Sequence, residues 1–123
     1  MKVHLIERVL ARGVGLNDRL VIGRVRKLSP PLDPSVRINP DEIVVTPRTD
    51  KTFMPLLRRA AGLLTADTAE DSYSRLLALE IGIPAIVGVS ADLEALYDGM
   101  EVVLDTERGV VYDRSPALAH VGK

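Results

Sequence analysis

The residues that could act as nucleophiles or as acids and bases are few and scattered. The chain has two histidines, His4 and His120, and no cysteine. A catalytic imidazole needs a fixed partner that orients its tautomer, and neither histidine lies in such a motif. We interpret both as structural or exposed residues. With isolated histidines and no thiolate, a transition-metal site of the usual ligand types is not expected.

A carboxylate cluster lies at Asp67, Glu70 and Asp71. Its spacing lacks the ladder of oxygen ligands that a calcium loop supplies, so we interpret it as a solvated acidic turn. The glycine-rich signatures of nucleotide sites and the serine elbow of hydrolases are absent from the sequence. The sequence predicts no cofactor and no metal.

Size and composition predict a single folded domain. The 123 residues are 46% hydrophobic and 27% charged, which is typical of a globular chain. The apolar runs are far shorter than the ~20 residues of a membrane span, and no signal-peptide pattern opens the chain, so we expect no membrane contact and a cytoplasmic location. With only one Phe, three Tyr and no Trp, base-stacking nucleic-acid modules are not expected.

The net charge of −1 is unevenly distributed. Residues 1–59 carry twelve Lys/Arg and six Asp/Glu, whereas residues 60–123 carry four and eleven. One interpretation is that the halves fold against each other with charge pairs at the seam, each exposed pair contributing less than ~1 kcal/mol. The alternative is a polar docking face. The basic residues form no dense run, so a nucleic-acid partner is not predicted.

Local patterns predict strands that alternate with helices. Alternating or β-branched runs indicate strands at 9–12, 19–27, 43–46, 62–65, 85–89, 100–105 and 110–112, the first two joined by a turn and the last two forming a hairpin. Helices are predicted from Thr49 or Asp50 to about Ala61, over 72–81 and over 91–97. Three prolines make 29–35 a loop. This order favours an α/β fold with a parallel sheet, helices on it and a separate β layer.

The helix over 72–81 is expected to pack on the sheet through Leu76, Leu77, Ala78 and Ile81. Gly82 follows at the position where a helix favours a left-handed residue. Pro84 prevents the helix from resuming. The sequence therefore predicts a sharp stop before the next strand.

The segment 62–88 reads Gly-Leu-Leu-Thr, a loop, Ser72, a helix and Gly-Ile-Pro-Ala-Ile-Val-Gly. It resembles the swivelling phosphohistidine domain of phosphoenolpyruvate-utilising enzymes, such as pyruvate phosphate dikinase, phosphoenolpyruvate synthase and enzyme I. A closer resemblance, to the extra C-terminal domain of many bacterial pyruvate kinases, covers nearly the whole chain, with 30–39 the least matched. The residues that carry it are 1–4, 9–13, 49–50, 54–55, 60–61, 82–89, 98–99 and 108–112. It implies a layered β/β/α domain over 1–114. The residues after Arg114 are expected to form a flexible tail over 115–123.

The chain departs from this family at the residues that carry its chemistry. In the family the strand ends in Thr and is followed by a Gly-Gly turn and Ser-His-Ala. Alignment on Thr65 and Gly82 puts Thr68–Ala69 at the glycines, keeps Ser72 and places Tyr73 at the phosphorylated histidine. A phosphotyrosine ester lacks the transfer potential of a phosphoramidate. Side chains in place of glycines keep backbone amides from a phosphate, and carboxylates at a helix N-terminus compete for those amides.

The resemblance thus implies a degenerate phosphohistidine site at Thr65, Thr68, Ala69, Ser72, Tyr73 and Arg75, with no catalytic residue. The favoured hypothesis is a non-catalytic structural or regulatory domain that docks on a kinase body or a like domain, with a homo-oligomer possible. Transfer of phosphoryl from phosphoenolpyruvate to ADP requires a large barrel domain that 123 residues cannot contain.

Two alternatives stay open. One is a phosphotransfer domain whose acceptor has moved to His4, His120 or Tyr73. The other is a sensor of a small phosphorylated metabolite or carboxylate, recognised through Arg75. A ligand that binds only the folded state raises the melting temperature, so the sensor can be tested with a panel of metabolites.

Overall fold

The computed structural model describes residues 8–68, 73–89 and 91–114. The strands are β1 (Val9–Arg12), β2 (Val14–Gly15), β3 (Leu20–Lys27), β4 (Glu42–Thr46), β5 (Gly62–Thr65), β6 (Ala85–Val87), β7 (Glu101–Asp105) and β8 (Val110–Asp113). The helices are α1 (Met54–Leu57), which follows a 3₁₀ turn at Lys51–Phe53, α2 (Tyr73–Ile81) and a 3₁₀ helix at Ala91–Ala95. His4, His120 and the predicted tail 115–123 lie outside the described residues.

The strands form one mixed sheet in the order β1-β8-β7-β3-β4-β5-β6-β2. The run from β3 to β6 is parallel, and the remaining neighbours are antiparallel. The expected parallel sheet is therefore one layer. Since β3 also pairs with β7, it continues the sheet into a second, antiparallel layer formed by β3, β7, β8 and β1. Parallel pairing requires crossover connections, which only the chain between β3 and β6 supplies.

The sheet closes on itself at Gly13. Although β1 and β2 lie at opposite ends of the strand order, only Gly13 separates them along the chain. Its N–H donates to the carbonyl of Gly109 at 2.9 Å. A Cβ on Gly109 would lie 2.1 Å from the Gly13 carbonyl oxygen, so glycine is required at this contact. β1 and β2 therefore form one continuous segment that links the two ends of the strand order.

Two hydrophobic cores lie on the two sides of the parallel strands. Alternation along β4 sends Ile43 and Val45 into the core enclosed by the sheet, and Val44 into the core under the helices. Leu63 and Leu64 divide in the same way on β5. Strands buried on both faces are typical of parallel layers covered by helices. The three layers confirm the predicted layered α/β fold.

The first helix is shorter than predicted. Asp50 caps the 3₁₀ turn, as the sequence indicated, because its side chain accepts from the Thr52 N–H. However, α1 ends at Leu57 rather than near Ala61. The Ala61 N–H donates to the Glu42 carbonyl at 2.8 Å. The chain leaves the helix early because it must reach β4 before β5 begins.

The buried face of α2 differs from the predicted one. The residues packed inward are Ser74, Leu77 and Ala78, with Ile81 partly buried. These positions follow the spacing i, i+3, i+4, i+7. This spacing leaves Leu76 57% exposed, so its predicted place in the core is wrong. Gly82 has a φ of +80°, which confirms the predicted stop.

Three other element predictions change in detail. The segment between β1 and β3, predicted as a turn, contains the short strand β2, which pairs with β6. The strand predicted over 85–89 ends at Val87, before Gly88 with its φ of +68°. The helix predicted over 91–97 is the shorter 3₁₀ helix. Among the described residues, no helix has the length and apolarity needed to cross a membrane.

The ion pairs named here are mostly local. Arg8 and Asp113, 3.6 Å apart, join the basic and the acidic half. The others lie within one half: Arg24 with Asp41 at 2.8 Å, Arg26 with Glu42 at 3.3 Å and Arg108 with Asp105 at 3.2 Å. Among these pairs, only the first supports the predicted charge contact between the halves.

Candidate functional site

The candidate site lies where the parallel strands end. Thr46 ends β4 and Thr65 ends β5, and the two are register partners. The chain after β5 leads to α2, whose first residue is Tyr73. In α/β sheets, ligand sites form outside the carboxyl ends of parallel strands. We call this region the carboxyl edge.

Buried hydroxyl groups connect α2 to the loops at the carboxyl edge. Ser74, fully buried in the first turn of α2, donates its hydroxyl proton to Asp67 Oδ2 at 3.0 Å. Its oxygen lies 2.6 Å from Thr49 Oγ1. Because the single Ser74 proton is already used, the Thr49 hydroxyl donates to Ser74. This hydrogen-bonded series of Thr49, Ser74 and Asp67, which we call the hydroxyl chain, therefore fixes the first turn of α2 against two loops.

The threonines that end β4 and β5 bind the loops that follow them. Thr46 Oγ1 donates to the Arg48 carbonyl at 2.7 Å. Thr65 Oγ1 donates to the Pro47 carbonyl at 3.1 Å and accepts from the Asp67 N–H at 3.3 Å. Both threonine side chains are fully buried. Their hydroxyl protons are committed to the backbone and are not offered to a ligand.

The end of β6 is bound to the same loop. The N–H groups of Gly88 and Val89 donate to the carbonyls of Asp67 and Thr65, each at 3.0 Å. A Cβ on Gly88 would lie 3.6 Å from the Thr68 methyl group. These backbone amides are therefore satisfied by the protein itself.

The structure separates the predicted site residues. Thr65 is buried, Thr68 is exposed beside Gly88, and Tyr73 is 39% exposed at the start of α2. Arg75 is half-buried and has interaction partners. Ala69 and Ser72 lie outside the described residues, as do Glu70 and Asp71.

Sequence reasoning missed two members of the hydroxyl chain. Thr49 was considered only as a helix cap, and Ser74 was not considered. Asp67, assigned to a solvated turn, instead accepts the hydrogen bond from buried Ser74, so that interpretation is wrong for this residue. The helical spacing from Ser74 to Ala78 was the available signal, because it places the serine on the inward face.

A cleft of about 570 Å³ opens beside the carboxyl edge. The cleft is lined by the polar residues Lys27, Ser29, Thr46 and Glu94 and by apolar residues that include Val45, Val89 and Leu93. The cation at this cleft is Lys27 rather than the predicted Arg75, which is not among the lining residues. In the described part of the chain, no group of three His, Asp or Glu residues is arranged to hold a metal ion.

Comparisons with known proteins agree with this architecture. The sequence profile of the PEP-utilising enzyme mobile domain matches residues 38–109. The chain is 34% identical to pyruvate kinase 2 of Synechocystis sp. over 123 residues, which are all of this chain and 20% of that protein. It is 34% identical to the pyruvate kinase of Sporosarcina psychrophila over 92% of this chain and 19% of that protein. The chain thus spans about a fifth of the length of the curated relatives it matches.

Solved structures share the fold at low identity. Aconitase X of Thermococcus kodakaraensis superposes with a TM-score of 0.64 at 19% identity, over 84% of this chain and 96% of the other. Enzyme I superposes with a TM-score of 0.54 at 19% identity, over 68% of this chain and 34% of the other. At these identities the likeness extends to the fold alone.

Proposed function

We propose, on the premise that this chain belongs to the mobile-domain family of PEP-utilising enzymes, that it is a non-catalytic structural or regulatory domain of the kind attached to pyruvate kinase. The observation that carries the proposal is the hydrogen-bonded network of Thr49, Ser74 and Asp67 at the start of α2, in which Thr49 and Ser74 are buried. In this proposal, Tyr73 replaces the phosphorylated histidine. The cytoplasm and the glycolytic reaction of pyruvate kinase are the proposed setting.

The local chemistry supports the loss of phosphoryl transfer. The Asp67 carboxylate lies within hydrogen-bond distance of the first turn of α2, where a phosphate would need positive potential. The amides of Gly88 and Val89 and the hydroxyls of Thr46 and Thr65 already have protein partners. A phenol ester at Tyr73 would not pass its phosphoryl group onward as a phosphoramidate does. These features together favour a scaffold over a phosphocarrier.

An assay of phosphoryl uptake tests this part of the proposal. The wild-type chain and its Tyr73→His variant are incubated with phosphoenolpyruvate and a phosphotransferring partner enzyme, and intact masses are measured at neutral pH to preserve phosphohistidine. Both masses should stay unchanged, because the histidine alone does not remove Asp67 or free the amides. A domain that retains the Ser-His-Ala sequence is the positive control. A stable gain of one phosphoryl group by the wild-type chain would overturn the proposal.

The second part of the proposal is that this domain docks on a larger catalytic body. The relatives are about five times as long as this chain, which corresponds to a fifth of each. The outer surface of α2 carries an apolar row, which we call the α2 stripe: Tyr73, 39% exposed, Leu76, 57% exposed, and Leu79, 50% exposed. We assign the α2 stripe to the contact with the body, since exposed apolar area of this kind is typical of interaction sites.

Binding to a truncated relative tests the docking. The chain is titrated against Synechocystis pyruvate kinase 2 that lacks its corresponding region. Leu76→Lys should weaken binding on the order of tenfold or more, because a desolvated lysine replaces an apolar contact. Leu20→Lys, on the opposite side of the sheet, is the matched control and should bind normally. Equal loss in both variants, or no binding by the wild type, would contradict this assignment.

The cleft supports a second candidate function, the binding of a small anionic metabolite. Its volume of about 570 Å³ is within the range of small-molecule sites. Lys27 supplies the cation, and the apolar wall near Val89 would hold the body of the ligand. A phosphometabolite or carboxylate that raises the melting temperature of the wild type, but not of Lys27→Ala, would support it. Flat melting curves across such a panel would remove it.

A further inference from the structure

The outer face of the antiparallel layer carries a row of apolar residues. Strand register sets Ile22 beside Val103, Val103 beside Tyr112, and Tyr112 beside Val9. The row therefore crosses β3, β7, β8 and β1 without interruption. Leu20 lies two residues from Ile22 on the same face. We call these five residues the antiparallel face.

Within the described part of the chain, this face is exposed to solvent. Leu20 is 71% exposed, Ile22 is 55% exposed and Val9 is 38% exposed, while Val103 and Tyr112 are half-buried. The opposite face of the same strands supplies the enclosed core. A contiguous apolar patch on four neighbouring strands is more than the scattered exposure usual for a monomer.

A row of charged residues runs parallel to the apolar row. Arg24 and Glu101 are register partners, two residues from Ile22 and Val103. Arg114 continues β8 beyond Tyr112, on the same face by alternation, and its N–H donates to the Glu101 carbonyl at 2.9 Å. Across β3, β7 and β8 the charges are therefore positive, negative and positive.

We propose that the antiparallel face pairs with the same face of a second copy of this chain, about a twofold axis that runs along the strands between β7 and β8. Such an axis exchanges β7 with β8 and β3 with β1. It sets Val103 against Tyr112 of the second copy, and Ile22 against its Val9. In a twofold interface each such contact occurs twice.

The charged row favours a second copy of this chain as the partner that covers the antiparallel face. The same axis sets Glu101 against Arg114 of the second copy, and Arg114 against its Glu101, so opposite charges meet at both symmetric positions. Arg24 already has Asp41 at 2.8 Å, which leaves the central pair to face the second copy. The chain's net charge of −1 adds little repulsion between copies.

The dimer should be weak. Four strands spaced about 4.8 Å apart give a narrow face, smaller than the roughly 800 Å² per partner of a standard stable interface. We therefore expect a dissociation constant on the order of 100 μM. This inference is independent of the proposed function, because it concerns the chain alone and the face opposite the α2 stripe.

Sedimentation equilibrium of the full 123-residue chain, from about 10 μM to about 1 mM, tests the dimer. The wild type should pass from monomer to dimer over this range. Ile22→Lys should remain monomeric while keeping the wild-type circular dichroism. Leu76→Lys, on the α2 stripe, is the matched control and should dimerise like the wild type. A wild type that stays monomeric at the highest concentration, as expected if another polypeptide covers this face, would overturn the proposal.

Charge reversal tests the axis itself. Glu101→Arg or Arg114→Glu alone puts like charges together twice in each dimer and should raise the dissociation constant about tenfold. The double variant restores opposite charges and should return to within about threefold of the wild type. A double variant as weak as either single variant, or single variants that dimerise normally, would exclude this arrangement. Both surface changes leave the enclosed core untouched.

Discussion

The parallel and antiparallel layers of this sheet differ in what covers them. The strands β4, β5 and β6 are buried on both faces, and the polar side chains at their carboxyl edge are consumed by internal hydrogen bonds. The antiparallel layer is buried on one face and exposes Leu20 and Ile22 on the other. The hydroxyls at the carboxyl edge are bound to neighbouring loops, whereas the antiparallel layer exposes apolar side chains to solvent. We therefore expect this domain to contact its partners through the α2 stripe and the antiparallel face rather than through the carboxyl edge.

The largest effect should come from the contact that closes the sheet. Gly109→Ala should cost about 4 kcal/mol or more of unfolding free energy, because a backbone oxygen lies 2.1 Å from the new Cβ and φ is +69°. Gly82→Ala is the matched control, with a φ of +80° and nothing within 4 Å. It should lose only about 1 kcal/mol. Urea unfolding measures both, and equal losses would show that the closure contributes little.

Two leucines compare the layers directly. Leu63→Ala, at a fully buried position of the parallel layer, should lower the unfolding free energy by about 3 kcal/mol. Leu20→Ala, at a position of the antiparallel face that is 71% exposed, should change it by less than about 0.5 kcal/mol in dilute monomer. The measurement is again urea unfolding. A large loss at Leu20 would mean that this face is already covered within one chain.

Two serines test the closed carboxyl edge. Ser74→Ala leaves Thr49 and Asp67 without their shared partner, and should cost about 1 to 2 kcal/mol because the Thr49 hydroxyl is buried and Asp67 is partly buried. Ser35→Ala removes an exposed hydrogen bond to Asp33 and is the control, with an expected loss below about 0.5 kcal/mol. Thermal unfolding distinguishes the two. A neutral Ser74→Ala would contradict the structural role assigned to the hydroxyl chain.

Local sequence signals predicted the parallel layer well. The strand of residues 62–65, the helix ending before Gly82 and the following strand all depend on periodicity and on one left-handed residue. These are interactions between near neighbours in the chain. The terminal hairpin of β7 and β8 was predicted for the same reason.

The features that the sequence did not predict depend on contacts between residues that are far apart in the chain. Closure through Gly13 depends on Gly109, and the early end of α1 depends on Ala61 pairing with Glu42. The cleft cation Lys27 ends β3, whereas the predicted cation Arg75 lies on α2. The hydroxyl chain joins Thr49 to Ser74, 25 residues away. No local pattern encodes these distances, so the site could be predicted as a segment but not as a set of contacts.

The smallest expected effect concerns the exposed ion pair between Arg24 and Asp41, beside the antiparallel face. The hydrogen bond and charge of Arg24 hold the pKa of Asp41 below its usual 3.8, and Asp41 raises the pKa of Arg24. Because the folded state favours the carboxylate, its stabilisation is complete above the unfolded pKa and is lost as pH falls through the lower folded pKa. Carboxyl NMR titration should show the Asp41 pKa rising toward 3.8 in Arg24→Gln. The Asp33 pKa, which is lowered by Ser35 instead, should not move. An equal rise at both carboxyls would mean that Arg24 acts through the general field of the protein rather than through the contact at 2.8 Å.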